Sequence, residues 1–373
     1  MEKKKILFII TSLAGGGAEK VLMTVLHHFD YEKYDVTLCV VSKSGVYVNE
    51  LPQSLKKIYV YENPNSFVAR LGFVLYSRLG LSCVERFSMR RKIKDNYDTI
   101  VSFCEGRSMK FHGYVMEKGK RNVTWVHCDL FTMHYTIGPV LSAKDERHLY
   151  EKMDDVVFVS KEAMTQFCKF NYDLKHTSVV YNPIELSSIQ QFKRDIKIAD
   201  GRCQICLCGR LTKQKAFDRI IRVASMLKQA GYKFTVTILG EGEDRLKLES
   251  MISQLSLNDF VFLPGFVKPP YAIMAKSDII VSTSIMEGYP INICEAMSLG
   301  LPIVATRCCG NTELIGANEE CGVLTDQDDQ SIYDGIVKMI ESPELRDRCG
   351  KNAFEKSKTF EADEVMKSIY SVL

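Results

Sequence analysis

The sequence predicts an α/β protein with two doubly wound domains that face each other across a cleft. Three observations predict this fold class. The chain has 373 residues, which is long for one hydrophobic core and typical of two domains. Short runs rich in β-branched residues alternate with helical stretches, as in a parallel sheet with crossover helices. This alternation is interrupted by a polar segment that ends near Gly201 and then starts again, so the two halves are expected to fold alike.

The first half is predicted to be an N-terminal domain over residues 1–182. Gly15–Gly17 follow its first strand, and an amphipathic helix is expected from there through Phe29. A long, basic helical region precedes the run "YDTIVSF". The predicted strand segments are 5–10, 34–41, 56–61, 97–103, 121–127, 154–160 and 177–185.

The second half is predicted to be a C-terminal domain over residues 183–360. Its strand segments are 203–211, 233–242, 259–267, 277–284, 301–306 and 321–325, with a helix at 216–231. Three helices without a strand signal follow at about 328–341, 345–358 and 361–373, and the last is expected to pack back on the N-terminal domain. Ligands of open parallel sheets bind at the carboxyl ends of the strands, so the sequence predicts a ligand in the cleft.

Composition restricts the class of protein and its compartment. Hydrophobic residues make up 46% and charged residues 25%, which is typical of a soluble globular protein. No apolar run reaches the roughly 18 residues of a membrane-spanning helix, and the short apolar run Ile6–Ile10 fits a strand better than a signal peptide. The 13 cysteines form no zinc-binding pattern, and Cys203, Cys206 and Cys208 share one predicted strand. Buried free thiols in a reducing cytosol are the favoured interpretation.

Positive charge is concentrated in the segment 69–94. This segment has one carboxylate, Glu85, against seven cations: Arg70, Arg78, Arg86, Arg90, Arg91, Lys92 and Lys94. Two interpretations remain open. The segment is either a basic amphipathic element that lies on an anionic membrane surface or an ordinary domain helix with a solvated basic face.

A pair of carboxylates in "STSIMEGYPINICEAMSLGLPIVAT" (282–306) is the strongest functional signal. Glu287 is expected in the loop after a strand, and Pro290 suits the first position of a helix that carries Glu295. The helix N-terminus between them would bind an anion. Acidic groups on both sides of an anion site fit a nucleotide sugar, which has hydroxyl groups on both sides of a diphosphate. The alternative is a helix cap with an exposed helix face.

Two cations follow the predicted strand at 203–211. Arg210 and Lys215 lie in the loop directly after it. Breaking a glycosyl–diphosphate bond leaves negative charge on the diphosphate, and preorganised cations stabilise such charge strongly. A solvated loop is the alternative interpretation.

These segments resemble the E-x7-E retaining glycosyltransferases of family GT4, which have the GT-B fold of two Rossmann-like domains. The resemblance spans nearly the whole chain and rests on motifs in the family's order: "GGGAEKVL" (15–22), "GRLTKQKAFD" (209–218), "LGEGED" (239–244), "LPGFV" (263–267), "EGYPINICEA" (287–296) and "GNTELI" (310–315). Ala216 stands where the family usually has glycine. Bacterial polysaccharide-biosynthesis enzymes are the nearest type.

The resemblance implies roles for individual residues. Arg210 and Lys215 would bind the donor diphosphate, Glu295 the ribose hydroxyls and Glu287 the transferred sugar. Catalytic roles are implied for Arg210, Lys215, Glu287 and His127. Donor contacts are implied for Gly16, Gly17, Gly209, Phe266, Val267, Gly288, Tyr289, Pro290, Ile291, Asn292 and Glu295, with Asn311, Thr312 and Glu313 along the pocket wall. The family implies no metal and no cofactor beyond the nucleotide sugar itself.

Residues at two strand ends of the first half are candidates for sugar or acceptor contacts. His127 and Asp129 follow "NVTW", and Glu105 follows "YDTIVSF". The resemblance implies a sugar contact for His127, although a general-base role for His127 or Asp129 is also open. Asp129 and Glu105 are acceptor candidates. The triplet "DQD" at 326–328 imitates a metal-binding motif but is expected to be a polar loop.

The predicted function is therefore a retaining glycosyltransferase. It would move a sugar from a nucleotide donor, with UDP favoured, to a saccharide or a polyprenyl-diphosphate-linked saccharide for surface polysaccharide. We expect a cytoplasmic protein, with a peripheral position on the inner face of the membrane as one option and with no nucleic-acid partner. The main alternative is an inactive GT-B scaffold or nucleotide-binding partner protein. A phosphorylase or an epimerase is disfavoured.

Overall fold

The chain forms two compact units in the computed structural model, which describes residues 2–138, 140–192 and 201–373. The N-terminal unit comprises residues 1–183 together with 362–373, and the C-terminal unit comprises residues 184–361. The last part of the predicted polar linker, residues 193–200, lies outside the described residues. No helix in the described ranges is both long enough and apolar enough to cross a lipid bilayer.

The N-terminal unit is built on a parallel sheet of seven strands in its described residues, in the order β3-β2-β1-β4-β5-β6-β7. The strands are β1 Lys4–Ile10, β2 Tyr34–Ser42, β3 Lys56–Tyr61, β4 Tyr97–Ser102, β5 Gly119–Val126, β6 Asp155–Phe158 and β7 Thr177–Val179. The helices before the second unit are α1 Gly17–His27, α2 Phe67–Leu79, α3 Cys83–Lys92, α4 Arg107–Gly113, α5 Ala143–Lys152 and α6 Lys161–Cys168.

Strand β1 lies at the centre of this sheet, parallel to both of its neighbours and buried on both faces. Ile6 lies opposite Val36 of β2 on one side and Thr99 of β4 on the other. The consecutive residues from Ile6 to Ile9 are all fully buried. A strand buried on both faces carries a continuous apolar run and not an alternating one, which is the pattern of "ILFI". The sheet order reverses between β1 and β4, so the loops after these two strands diverge there.

The C-terminal unit repeats the design with six parallel strands in its described residues, in the order β10-β9-β8-β11-β12-β13. The strands are β8 Cys203–Cys208, β9 Phe234–Leu239, β10 Val261–Gly265, β11 Ile279–Ser282, β12 Ile303–Thr306 and β13 Gly322–Thr325. The helices are α7 Leu186–Gln190, α8 Phe217–Gln229, α9 Arg245–Gln254, α10 Tyr271–Met274, α11 Ile291–Ser298, α12 Asn311–Ile315, α13 Asp329–Glu341 and α14 Pro343–Ser357. This order reverses between β8 and β11.

The final helix, α15 (Ala362–Val372), belongs to the N-terminal unit. The Tyr370 ring stacks on Tyr34 of β2, with ring centroids 5.2 Å apart and an interplanar angle of 5°. The Leu373 main-chain oxygen accepts hydrogen bonds from the Thr99 hydroxyl at 2.5 Å and the Lys4 ammonium at 2.8 Å. Stacking and hydrogen bonds thus hold the end of the chain against β1, β2 and β4, which are neighbours in this sheet.

The predicted fold class of two parallel-sheet, Rossmann-like units is confirmed, and two element predictions need correction. The segment 177–185 is not one extended element, because β7 stops at Val179 and α7 begins at Leu186. The basic helical region is two helices and not one. Gly80 ends α2 in the left-handed conformation at φ 68°, which glycine adopts without steric cost, and the chain then turns into α3.

A polar network lies inside the N-terminal unit around a fully buried histidine. The His112 ring contacts the Ser102 hydroxyl at 3.0 Å through Nδ1 and the Asn122 amide oxygen at 2.9 Å through Nε2. Burial lowers the pKa of His112 from 6.5 to about 4, although the hydrogen bond to Asn122 opposes this shift. The imidazole is therefore neutral in the folded protein at neutral pH.

This histidine is expected to weaken the fold in acid. Above pH 6.5 it is neutral in both states, so it contributes nothing pH-dependent; between pH 6.5 and about 4 only the unfolded chain takes up the proton. The free energy of unfolding should thus fall by on the order of 3 kcal/mol across this window. Urea unfolding from pH 7.5 to 4.5 checks this, with His112→Gln as the comparison. Equal pH slopes for both proteins would contradict it.

Candidate functional site

The carboxyl end of the second sheet brings together loops from neighbouring strands. The loop after β8 carries Arg210 and Lys215, the loop after β10 carries Phe266, and the loop after β11 carries Glu287. Because the strands are parallel, these loops meet at one edge of the sheet. Since β8 and β11 are adjacent where the strand order reverses, this is the place where open α/β sheets bind ligands.

Close backbone packing shapes these loops. The Gly240 N–H donates to the Gly265 carbonyl, and the Gly209 N–H donates to the Leu239 carbonyl, both at 2.9 Å. A Cβ on Gly240 would lie 1.9 Å from the Gly209 carbonyl oxygen, so only glycine fits there. The loops after β8, β9 and β10 therefore form a continuous surface next to the switch point.

The centre of the site is an ion pair between two predicted residues. The Lys215 ammonium lies 2.5 Å from Oε1 of Glu287, and the two side chains are only 16% and 8% exposed. The Ser284 hydroxyl donates to the same carboxylate oxygen at 2.6 Å. The Thr283 hydroxyl donates to the Lys215 carbonyl at 2.8 Å. The structure thus places a proposed diphosphate cation in direct contact with a proposed sugar-binding carboxylate.

Glu295 is buried as well, on the second turn of α11. The Tyr271 hydroxyl donates to its Oε1 at 3.1 Å. Glu295 and Glu287 are 3% and 6% exposed, so the alternative of a cap with an exposed helix face is wrong for this pair. Pro290 is the N-cap residue and the helix starts at Ile291, one residue later than predicted.

Several of the other predicted donor residues have visible structural roles. The Asn292 amide donates to the Cys208 carbonyl at 2.7 Å and so ties α11 to the end of β8. The Asn311 amide donates to the Thr306 carbonyl at 2.9 Å. A Cβ on Gly310 would lie 2.5 Å from the Gly288 carbonyl oxygen, which shows how closely this loop approaches the turn before α11. Phe266 and Arg210, in contrast, are exposed.

The backbone conformation of Ala216 explains why the family usually has glycine at this position. It has φ 47° and ψ 46°, in the left-handed region, directly before α8. A residue with a Cβ costs roughly 1–2 kcal/mol there relative to glycine. The Lys215 carbonyl directly before Ala216 accepts a hydrogen bond from the Thr283 hydroxyl.

The predicted residues of the first half lie in the N-terminal unit, and two of them contact each other. The Glu105 carboxylate accepts a hydrogen bond from the main-chain N–H of His127 at 2.9 Å and another from the Tyr135 hydroxyl. Burial lowers the pKa of His127, against a smaller opposing effect of Glu105, so the imidazole is neutral at neutral pH. Its Nε2 is buried without a hydrogen-bond partner in the described part of the chain. This atom could bind a ligand hydroxyl.

Asp129 has a turn-forming role that the sequence analysis did not predict. Its carboxylate accepts hydrogen bonds from the Phe131 and Thr132 N–H groups, both at 3.1 Å, and from the Thr132 hydroxyl at 2.5 Å. Asp side chains commonly stabilise turns by accepting a hydrogen bond from the main-chain N–H two residues on, as Asp129 does from Phe131. Gly16 is the N-cap of α1 and Gly17 its first residue, so both lie at the carboxyl side of β1.

The sequence analysis missed three side chains that hold these carboxylates. Ser284 lies three residues before Glu287 in the quoted segment, whereas Tyr271 and Tyr135 reach their partners from other parts of the chain. Neither tyrosine has a local pattern that would have identified it. Their roles follow from packing, which brings each tyrosine into contact with a carboxylate that is 24 or 30 positions away in the sequence.

The cysteines form no disulfide, and the acidic triplet contributes a helix cap. Cys203 and Cys206 are buried on β8 and Cys208 is half-buried, and all 13 cysteines are free thiols. In the triplet "DQD", Asp328 caps α13 by accepting from the Ser331 N–H at 2.9 Å. Across the residues with assigned positions, no group of three or more His, Cys, Asp or Glu side chains is placed to hold a metal ion.

Two family models together span most of the chain. The model described as Glycosyltransferase Family 4 matches residues 15–188. The model described as Glycosyl transferases group 1 matches residues 188–356. Their shared boundary lies close to the boundary between the two units at residue 184.

Individual relatives match over different lengths. A Campylobacter jejuni protein, N-acetylgalactosamine-N,N'-diacetylbacillosaminyl-diphospho-undecaprenol 4-alpha-N-acetylgalactosaminyltransferase, is 27% identical over 384 residues, covering 99% of each chain. The amylovoran biosynthesis glycosyltransferase AmsK of Erwinia amylovora is 33% identical over 165 residues, 41% of this chain and 40% of that protein. The crystal structure of Anabaena Alr3699/HepE with UDP and glucose has a TM-score of 0.77 at 19% identity, covering 99% of this chain and 98% of that chain.

Proposed function

Because the chain belongs to the glycosyltransferases described by these two family models, we propose that it transfers a sugar from a nucleotide-sugar donor, with a UDP-sugar favoured, and retains the anomeric configuration. The observation that carries the proposal is the buried pair of Lys215 and Glu287 at the switch point of the second sheet. It offers a cation for the leaving diphosphate next to an acceptor for sugar hydroxyls.

The donor would lie along the carboxyl edge of the second sheet. Lys215 and the exposed Arg210 would neutralise the diphosphate, where charge grows as the glycosidic bond breaks. Glu287 would accept hydrogen bonds from the transferred sugar and Glu295 from the ribose, each worth roughly 1.5–3 kcal/mol. Phe266, which is 55% exposed, would lie near the base. Preference for UDP is supported by the UDP complex of the HepE structure, which has a similar fold.

Retention would follow from a front-face reaction, as the family resemblance implies. A phosphate oxygen of the leaving group takes the acceptor's proton, and Lys215 stabilises the charge on the diphosphate. His127 is neutral at neutral pH, so it would hydrogen-bond a sugar hydroxyl and not act as a cation. In this proposal the chain needs no cofactor beyond its donor substrate.

The acceptor is proposed to be a saccharide or a polyprenyl-diphosphate-linked saccharide used for surface polysaccharide. This proposal is supported by the names of the two relatives, one of which acts on a diphospho-undecaprenol-linked saccharide and the other in amylovoran biosynthesis. In the N-terminal unit, Glu105 is proposed to contact the acceptor and His127 is proposed to contact the transferred sugar. The protein would act in the cytoplasm, on the inner face of the membrane that carries such an acceptor.

A nucleotide panel tests the donor assignment. Purified protein is mixed with UDP-, GDP- and ADP-sugars, and the melting temperature and the hydrolysis of each donor are measured. One nucleotide, expected to be UDP, should raise the melting temperature. The shift should be lost in Glu295→Ala and in Lys215→Ala but kept in Lys213→Ala, whose side chain is exposed on the same loop. If no nucleotide shifts the wild type, an inactive scaffold replaces the transferase proposal.

A further inference from the structure

Helices α2 and α3 form a hairpin that exposes many of its large apolar side chains, although Met89 of α3 is buried. On α2, the small residues Ala69 and Gly72 are buried, whereas Phe67, Val74 and Arg78 are exposed. Phe67, Val74 and Arg78 are spaced by seven and four residues, so they share one helix face. Amphipathic helices of globular proteins normally bury their large apolar side chains. This helix shows the opposite arrangement.

The exposed apolar side chains are concentrated in this hairpin. Among the described residues, fourteen large apolar side chains are exposed, and seven of these lie between residues 67 and 87. Phe67, Phe87 and Leu79 are 78%, 68% and 65% exposed. Leu81 is 49% exposed and lies beyond Gly80, so the turn of the hairpin is apolar too. Such clustering marks an interaction surface, whereas single exposed apolar residues are ordinary.

The charge on the hairpin has one sign at its surface. All seven cations between residues 69 and 94 are exposed. The only carboxylate of that segment, Glu85, is 1% exposed and pairs with the Lys110 ammonium of α4 at 2.6 Å. Arg90 pairs with Glu117 at 2.8 Å, but Arg70, Arg78 and Arg91 form no ion pair with any described residue. The surface therefore presents cations around its apolar side chains and no compensating anion of its own.

The hairpin is held firmly to the rest of the unit. The Tyr76 hydroxyl of α2 donates to Asp145 at 3.1 Å and accepts from the Ser142 N–H at 3.2 Å. The Lys110 ammonium lies over the Tyr76 ring, 3.1 Å from its centroid, and reaches Glu85 of α3. A single buried cation thus contacts both helices, so the hairpin presents its outer face as a fixed surface.

We propose that the outer face of the α2–α3 hairpin docks on an anionic lipid bilayer. Phe67, Phe87 and the apolar turn at Leu79 would enter the boundary between headgroups and acyl chains, and the arginines would lie at the level of the lipid phosphates. Aromatic and aliphatic side chains surrounded by cations are the pattern of interfacial membrane binding. The inference stands on this surface alone and does not depend on the donor or the acceptor.

Other possible binding partners fit the outer face of the hairpin less well than a lipid bilayer does. A second copy of this chain would bring an identical cationic face against the first one, because a two-fold interface pairs the same patch with itself. Like charges would then oppose each other without partners. An acidic protein would satisfy the cations but would leave the separate aromatic tips without a matching pocket. A fluid lipid surface accommodates both the cations and the separated apolar tips.

A fluorescence experiment tests insertion directly. The chain has one tryptophan, Trp125, which is 2% exposed, so a tryptophan placed on the surface reports on its own environment. Phe87→Trp should show a blue-shifted emission on adding vesicles of equal parts phosphatidylglycerol and phosphatidylcholine, and none with phosphatidylcholine alone. Leu246→Trp is the matched control, because Leu246 is 80% exposed on α9 of the other unit. A shift in both variants, or in neither, overturns the proposal.

Vesicle flotation of the full chain then separates the two contributions. Replacing Arg70, Arg78 and Arg91 together by glutamine should weaken binding to anionic vesicles about 100-fold, at roughly fivefold for each cation. Phe67→Ser with Phe87→Ser should weaken it at least about tenfold. Leu246→Ser with Lys247→Gln should leave it unchanged. All these side chains are exposed, so the fold should persist, and far-ultraviolet circular dichroism verifies that.

The remaining outcomes are decisive as well. Equal binding to neutral and anionic vesicles, or binding that does not weaken with salt, would remove the electrostatic part of the proposal. A serine pair that converts a dimer into a monomer and leaves vesicle binding intact would assign the face to a second copy. None of these measurements uses donor or acceptor, so their failure leaves the transferase proposal standing, and the reverse also holds.

Discussion

Lys215→Met is expected to lower kcat/KM for sugar transfer, measured with the nucleotide sugar that the panel selects, by about 10²–10³-fold. Preorganised charges that face the developing negative charge of a transition state have effects of this size. Lys215 fits this role because it is 16% exposed and fixed by Glu287, while its carbonyl is fixed by Thr283. Little reorganisation is then needed when the diphosphate becomes the leaving group.

Removal of Lys215 also leaves the buried Glu287 without its cation, although the Ser284 hydroxyl still donates to it. A loss of stability therefore has to be separated from a loss of catalysis. The double variant Lys215→Met with Glu287→Gln removes the uncompensated charge and should recover stability in urea unfolding, but not activity. Lys213→Met, an exposed cation on the same loop, should retain wild-type kcat/KM. Retention of more than a tenth of kcat/KM in Lys215→Met would show that this cation is not part of the reaction.

The strands of both units could be predicted from the sequence because each is a short apolar run bounded by turns. For β3 (Lys56–Tyr61) the predicted and observed bounds are identical, and the other predicted strand segments overlap the observed strands. The basic region was harder. It contains two glycines, Gly72 inside α2 and Gly80 at its end. A glycine in a helical pattern does not show by itself whether the chain turns there.

The residues of the candidate site could be assigned to strand ends, but their mutual contacts could not be predicted. Glu287 and Arg210 follow strands β11 and β8, and that placement needs only local pattern. The Lys215–Glu287 pair joins residues 72 positions apart, and nothing in either loop specifies which acid meets which cation. Side-chain contacts of this kind depend on the relative position of two loops, which the packing of the sheet determines.

The second large effect is expected from the buried ion pair that anchors α3. Lys110→Met should destabilise the protein by about 3–5 kcal/mol, because it leaves Glu85 buried without its cation. Glu85 is 1% exposed and Lys110 5% exposed, and their charged atoms are 2.6 Å apart. Arg107 is 4.0 Å away and the Tyr114 hydroxyl donates at 3.1 Å, so neither replaces the direct ammonium contact. Urea unfolding of the two proteins measures the difference.

The double variant Lys110→Met with Glu85→Gln distinguishes two causes of the lost stability: the uncompensated charge of Glu85 and the lost packing of the Lys110 side chain. If the uncompensated carboxylate causes the loss, the double variant should recover most of the stability, since a neutral amide still accepts from Tyr114. If the loss comes from the Lys110 side chain packed over the Tyr76 ring, the double variant stays as unstable as Lys110→Met. Lys118→Met, at a half-exposed position between α4 and β5, should change stability by less than about 0.5 kcal/mol. A value for Lys110→Met as small as that of Lys118→Met would mean that the Lys110–Glu85 ion pair does not hold the hairpin in place.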